Sequence, residues 1–110
     1  FFFKQKTAYE ITVWLEFRRV LFRSQAKGRP IHVGEFGCYK YTDNEVALRW
    51  FKDLFSIYKE SGWGYSLWEF DGNFGIANHN RPGVKYENFE GLNIDRALLD
   101  LMLESRVEKP

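Results

Sequence analysis

Between Ile31 and Trp68 the sequence alternates strand, helix, strand, and this limits the fold more than any other feature of the chain. Ile31-His32-Val33-Gly34-Glu35-Phe36 reads as a short strand with β-branched residues on alternate positions. Thr42, Asp43 and Asn44 then offer capping side chains for a helix from about Asn44 to Ser61. Along it Ala47, Trp50, Phe51, Leu54, Phe55 and Tyr58 form an apolar stripe, while Lys52, Asp53, Ser56 and Lys59 occupy the other side. Gly62 stands where a C-terminal cap is expected. A second strand follows over about Gly64 to Trp68. Strands joined by a helix-length crossover imply parallel pairing and an α/β architecture. The step from Ile31 to Tyr65 is 34 residues, which suits the roughly 31 residues per unit of an eight-fold barrel of about 250 residues.

After Trp68 comes a stretch rich in Gly, Asn, Asp and Pro, from Glu69 to about Asn93. Structureless connections of that length are usually functional lids or binding loops. The last expected element is a helix from about Asp95 to Leu103, with Asp95 as N-cap and Leu98, Leu99, Leu101 and Met102 on its buried side.

At 110 residues the chain allows one small domain with a modest core. It holds 11 Phe, 6 Tyr and 4 Trp, which supply either an apolar core or platforms on which flat ligands stack. The formal charge of +1 averages two unlike pieces. Residues 1–24 hold five Lys/Arg against two Asp/Glu, and residues 25–110 hold eleven against thirteen. A mildly acidic larger piece without a basic stripe argues against a nucleic-acid partner, whose binding would rest on many phosphate contacts. The single Cys38 excludes an internal disulfide and a multi-cysteine zinc site, and reads as a small buried side chain near a strand end. No apolar run approaches the roughly 18 to 20 residues that span a bilayer, so no membrane partner is expected. The first residues carry no signal-peptide pattern from which a compartment could be read.

Phe1 to Ser24 is read separately. Val13, Phe17, Val20 and Leu21 recur at helical spacing with Arg18, Arg19 and Arg23 among them, as in a basic amphipathic helix. Two blocks, Lys4 to Ile11 and Glu16 to Ser24, nevertheless resemble conceptual translations of two parts of a short-read sequencing adapter, in the right order. Residues 1–24 are therefore expected to be a non-native segment and are excluded from reasoning about the fold.

In parallel α/β folds the reacting groups sit at the C-terminal ends of strands, where loops converge on one cavity. Glu35 ends the first strand; Trp68, Glu69 and Asp71 end the second. Carboxylates beside an aromatic platform form the inventory of glycoside hydrolysis. Taken alone, Trp68 reads first as core packing, His32 as an interior histidine, and His79 to Gly83 as a turn. Gly34 and Gly37 mark turns or close backbone approach. Trp50 and Trp63 are expected to be structural, and no set of residues has metal-ligand spacing.

Pro30-Ile31-His32-Val33-Gly34-Glu35-Phe36-Gly37 resembles the seventh strand of family 5 glycoside hydrolases, in which the Glu of Gly-Glu-(Phe/Trp)-Gly is the catalytic nucleophile. Trp63-Gly64-Tyr65-Ser66-Leu67-Trp68-Glu69-Phe70, followed by Gly72-Asn73-Phe74-Gly75-Ile76, is similar to the eighth strand and its loop. Gly91 to Arg96 with the Leu-rich helix resembles the end of such barrels. The resemblance implies that residues 25–110 are the C-terminal part of a truncated (β/α)8 TIM barrel, its seventh and eighth βα units. It implies Glu35 as nucleophile and Trp68 lining the subsite of the reacting sugar, whereas Phe74 reads equally as an extension of the sugar platform or as a loop aromatic covering the barrel mouth. Glu69 and Asp71 then become loop carboxylates. The implied activity is retaining hydrolysis of β-linked glucan, mannan or related glycosides, with a polysaccharide or oligosaccharide as partner and neither cofactor nor metal.

The family's acid/base Glu, with its preceding Asn, lies on earlier strands that this chain does not contain. Retaining hydrolysis needs both carboxyls about 5 to 5.5 Å apart, so the chain alone is expected to be inactive. Two strands with uncovered edges are also expected to leave it insoluble or loosely packed. Family members are often exported. Two other readings are a non-catalytic carbohydrate-binding module and a small α/β interaction domain. The long helical periodicities disfavour the first, because such modules are commonly β-sandwiches. Sequencing genomic DNA upstream of Gln25 separates the second: a glycosidase frame continues into further βα units with an Asn-Glu pair at a strand end roughly 100 or more residues before Glu35. A frame without that Glu would remove the hydrolase reading.

Overall fold

The computed structural model describes Arg19 and residues 22–106, so most of Phe1 to Ser24, including Val13, Phe17, Val20 and Leu21, lies outside the described residues. The chain divides into two compact units, Phe1–Ile31 and His32–Pro110. In the first, residues 22–26 are helical. Gly28, at φ 71°, ends that helix: its N–H donates to the Gln25 carbonyl at 2.9 Å and the Arg29 N–H to Ser24 at 3.1 Å.

Among its described residues the second unit holds two two-stranded sheets and two helices. Strand β1 (His32–Phe36) is joined by helix α1 (Asn44–Ser61) to strand β2 (Gly64–Leu67), and β1 pairs with β2 in parallel. Helix α1 begins and ends where its capping residues dictate. The Asp43 carboxylate accepts from the N–H groups of Glu45 and Val46 at 3.0 and 3.2 Å. Gly62 takes the left-handed conformation, which lets the Trp63 N–H reach back to the Tyr58 carbonyl at 2.9 Å.

The register of β1 against β2 decides which way each side chain faces. Val33 pairs with Tyr65 and Phe36 with Leu67, so three steps along β1 match two along β2. This irregularity works as a bulge. Strict alternation would put Glu35 on the face of Val33; instead Val33 and Phe36 share the half-buried face, and His32, Gly34 and Glu35 are exposed. Phe36 then meets α1, its ring centroid 5.7 Å from Phe55, 5.3 Å from Tyr58 and 5.5 Å from Tyr65 across the sheet. Ala47, Phe51 and Phe55 of α1 are buried beneath it. Trp63 is buried and Trp50 packs edge-on against Phe51, so both are structural as expected. His32 differs from expectation: it is exposed, with Nε2 3.0 Å from Ser66 Oγ on the neighbouring strand.

The segment after Trp68 is ordered, which corrects the expectation of one irregular connection. Strand β3 (Tyr86–Phe89) forms an antiparallel hairpin with β4 (Leu92–Asp95). Glu90 and Gly91 both take positive φ in the two-residue turn, the geometry that matches strand twist. Further backbone bonds tie the loop to this hairpin, Asn78 N–H to Asn93 and Asp95 N–H to Ile76, each 2.9 Å. Helix α2 (Arg96–Glu104) follows directly, capped by Asp95 as expected. Leu98 is fully buried, whereas Leu99, Leu101 and Met102 are only half-buried. An apolar groove lined by Phe70, Phe89, Leu92 and Leu99 runs between the hairpin and this helix.

Truncating Phe55, buried between Phe36, Phe51 and Tyr65, should cost about 3 to 5 kcal/mol of unfolding free energy. Urea titration of Phe55→Ala against the parent chain checks this.

Candidate active site

Glu35 stands exposed near the C-terminal end of β1, and the chain beyond it is drawn against the end of β2. The Trp68 N–H donates to the Phe36 carbonyl at 2.7 Å, and the Cys38 N–H to the Phe74 carbonyl at 3.2 Å. Between these bonds lies Gly37. A Cβ there would collide with the Trp68 carbonyl and come within 3.0 Å of Phe74. Only glycine lets the two strand ends close to this degree, whereas Gly34 faces open space. The structure therefore brings the backbone that carries Glu35 beside the backbone that carries Trp68 and Phe74.

Trp68 is 51% exposed and Phe74 37%. The peptide between Trp68 and Glu69 is cis. Glu69 turns back into its own loop, which closes on it: a Cβ on Gly75 would meet the Glu69 carbonyl, and one on Gly72 its carboxylate. Asp71 accepts a 3.0 Å hydrogen bond from Asn78 Nδ2. Asp71 is nonetheless exposed, as Glu35 is, and Glu69 is half-buried. Cys38 is buried.

A buried polar network lies behind this edge, and sequence reasoning missed it. His79, Arg81 and Asp95 are all buried. The Arg81 backbone N–H donates to His79 Nδ1 at 3.0 Å, so the imidazole proton sits on Nε2 and is donated to Asp95 Oδ2 at 2.9 Å. The other Asp95 oxygen caps α2 by accepting from the Leu98 N–H at 3.1 Å. The Tyr86 hydroxyl lies 3.0 Å from His79 Nδ1 and 3.4 Å from the Arg81 carbonyl. Burial raises the Tyr86 pKa, which keeps the phenol protonated as a donor. Arg81 Nη2 donates to the Cys38 carbonyl at 3.0 Å. The cap of the last helix is thereby linked, through His79 and Arg81, to the loop three residues beyond Glu35.

Among the described residues no three His, Cys, Asp or Glu side chains gather to hold a metal ion. Among the described residues no helix is long and apolar enough to cross a membrane. No family model matches the sequence, and no curated protein matches it. Solved structures do. A crystal structure described as a glycoside hydrolase is 52% identical over 87% of this chain, with a TM-score of 0.77. This chain is similar to part of a glycoside hydrolase.

It spans 29% of that structure's length. A hyperthermophilic endo-β-1,4-glucanase in complex with substrate is 27% identical over 78% of this chain and 25% of its own, with a TM-score of 0.57. Cel5A of Thermotoga maritima, in complex with mannotriose, is 24% identical over 90% of this chain and 29% of its own, with a TM-score of 0.59. That last likeness speaks for the fold alone. The glycoside hydrolase and the endoglucanase extend it to glycosidases as the proteins that share this mixed α/β piece.

Asp95→Ala removes a helix cap and leaves the buried His79 Nε2–H without its acceptor, so it should lower stability by about 2 to 4 kcal/mol. Asp95→Asn, which keeps an oxygen for the cap, should recover part of that loss. Denaturant midpoints of the two variants make the comparison.

Proposed function

We propose that residues 25–110 close the catalytic domain of a retaining glycoside hydrolase of family 5, as the seventh and eighth βα units of a (β/α)8 barrel, and that residues 1–24 are non-native. One observation carries the reading. The exposed Glu35 and the exposed Trp68 belong to adjacent strand ends pulled together around Gly37, at the edge where parallel α/β folds hold their reacting groups.

In this reading Glu35 attacks the anomeric carbon of a β-linked sugar and forms a glycosyl-enzyme intermediate. Trp68 offers its indole face to the C–H face of the reacting sugar, and Phe74 extends that surface. The proton for the leaving oxygen comes from a second carboxyl about 5 to 5.5 Å away, carried by a strand outside this chain. Glu69, folded back against Gly72 of its own loop, and Asp71, bonded to Asn78, are read as loop carboxylates instead. The chain by itself is then inactive. The substrates of the complete enzyme are β-linked glucans, mannans or related glycosides; cellobiose is the substrate named for a 27% identical Cel5A of Thermotoga maritima.

The test belongs in the complete enzyme. Glu35→Ala should nearly abolish turnover with the fold intact. Adding azide with an activated aryl glycoside should restore reaction and give a glycosyl azide of inverted configuration, since azide enters the vacated space as aryloxide departs. Near-normal activity, or a rescued product of retained configuration, would exclude Glu35 as the nucleophile.

A further inference from the structure

We infer that Arg81 is a positioning residue for Glu35: its buried guanidinium holds the Cys38 carbonyl and thereby fixes the end of the strand that carries the nucleophile. This rests on the glycosidase reading and adds to it a residue that acts through the backbone. The Glu35 carboxylate is exposed, and among the described residues no side chain donates a hydrogen bond to it. Its place is therefore set by the backbone that carries it. Beyond Glu35 that backbone is held at three points. The Phe36 carbonyl accepts from the Trp68 N–H at 2.7 Å, the Cys38 N–H donates to the Phe74 carbonyl at 3.2 Å, and the Cys38 carbonyl accepts from Arg81 Nη2 at 3.0 Å. The first two are backbone bonds to the end of β2 and its loop. The third is a side-chain bond, made from 43 residues further along the chain.

Arg81 is itself a fixed anchor, only 3% exposed. With Asn80 at φ 57° the chain turns back, so the Arg81 N–H donates to His79 Nδ1 at 3.0 Å, and the Arg81 carbonyl accepts from the Tyr86 hydroxyl at 3.4 Å. His79 in turn donates to Asp95, the cap of α2. A guanidinium is a costly way to fill this space. Its Nε and Nη1 are buried without a hydrogen-bond partner, and an apolar side chain of similar volume avoids that desolvation cost. What an apolar side chain cannot supply is a charge-assisted donor directed at one carbonyl. Attack on an anomeric carbon depends on where the carboxylate stands, and a misplacement of about 1 Å can slow a reaction about a hundredfold. An anchor on the loop three residues past Glu35 acts on that placement.

In the complete enzyme, a dinitrophenyl β-cellobioside with fluorine in place of the hydroxyl next to the anomeric carbon separates positioning from folding. A Glu35 carboxylate oxygen bonds to the anomeric carbon as dinitrophenolate leaves with the electron pair of the broken bond. The fluorine slows both steps and the good leaving group restores the first, so the glycosyl ester accumulates. The final amount of labelled protein counts folded sites, and the labelling rate at saturation reports the attack. Arg81→Met should label the same fraction of protein as the parent, with a similar half-saturating concentration, but about tenfold more slowly. Arg81→Lys, which keeps a cationic donor, should recover part of that rate. Leu98→Ala, a truncation of the buried core of α2, should lower the thermal midpoint yet label at the parent rate. Parent-rate labelling by both Arg81 variants overturns the positioning role and leaves the glycosidase reading standing. So does a loss of some or all sites in both without slowing of any that survive, or equal slowing in Leu98→Ala. In the parent, no label, or label away from Glu35, overturns the glycosidase reading itself.

Discussion

Phe36 meets Trp50, Phe51, Phe55, Tyr58 and Tyr65 at once, with ring centroids 5.3 to 6.4 Å away and mostly edge-on. Its seating fixes the sheet against α1, because an aromatic ring surrounded by others in edge-to-face geometry gains both buried area and favourable quadrupole contacts. With Phe36 turned inward, the bulge between Val33 and Phe36 follows, and Glu35 is left on the opposite, exposed face. Phe36 also supplies the carbonyl that receives the Trp68 N–H. One residue thus joins the core to the edge where Glu35 and Trp68 stand.

The second constraint is polar. His79, Arg81, Tyr86 and Asp95 form a buried chain of hydrogen bonds from the N-cap of α2 to the carbonyl of Cys38. Such groups are expensive to bury unless partnered, and Arg81 Nε and Nη1 are buried without a hydrogen-bond partner, so the network is held through Arg81 Nη2 and the His79–Asp95 pair. The loops after β1 and β2 are accordingly held by backbone carbonyls rather than by apolar packing alone. That leaves the aromatic rings of Tyr39, Trp68 and Phe74 outward and exposed on a fixed frame.

Much of the frame was legible locally. The bounds of α1, its Asp43 cap and its Gly62 terminus coincide with the reading from residue type and period, as does the Asp95 cap of α2. These features depend on neighbours within a few residues, which is why sequence carries them. The hairpin of β3 and β4 was hidden because its turn is Glu90-Gly91 rather than a strong turn pair, and because each strand is only four residues long. His79, read as a turn residue, gave no sign of burial, since its partner Asp95 is 16 residues away.

By itself the sequence determined the strand–helix–strand order, the parallel pairing and the residues with chemistry to offer, because period, capping and crossover length are local quantities. The tertiary structure alone decided which face each of those residues occupies. Alternation puts Glu35 beside Val33, and it is the register against β2, set by Phe36 packing under α1 and by Gly37 admitting the Trp68 carbonyl, that turns Glu35 outward. Register is a relation between two strands more than 30 residues apart, and a one-residue slip exchanges the two faces. No pattern along one strand can encode it.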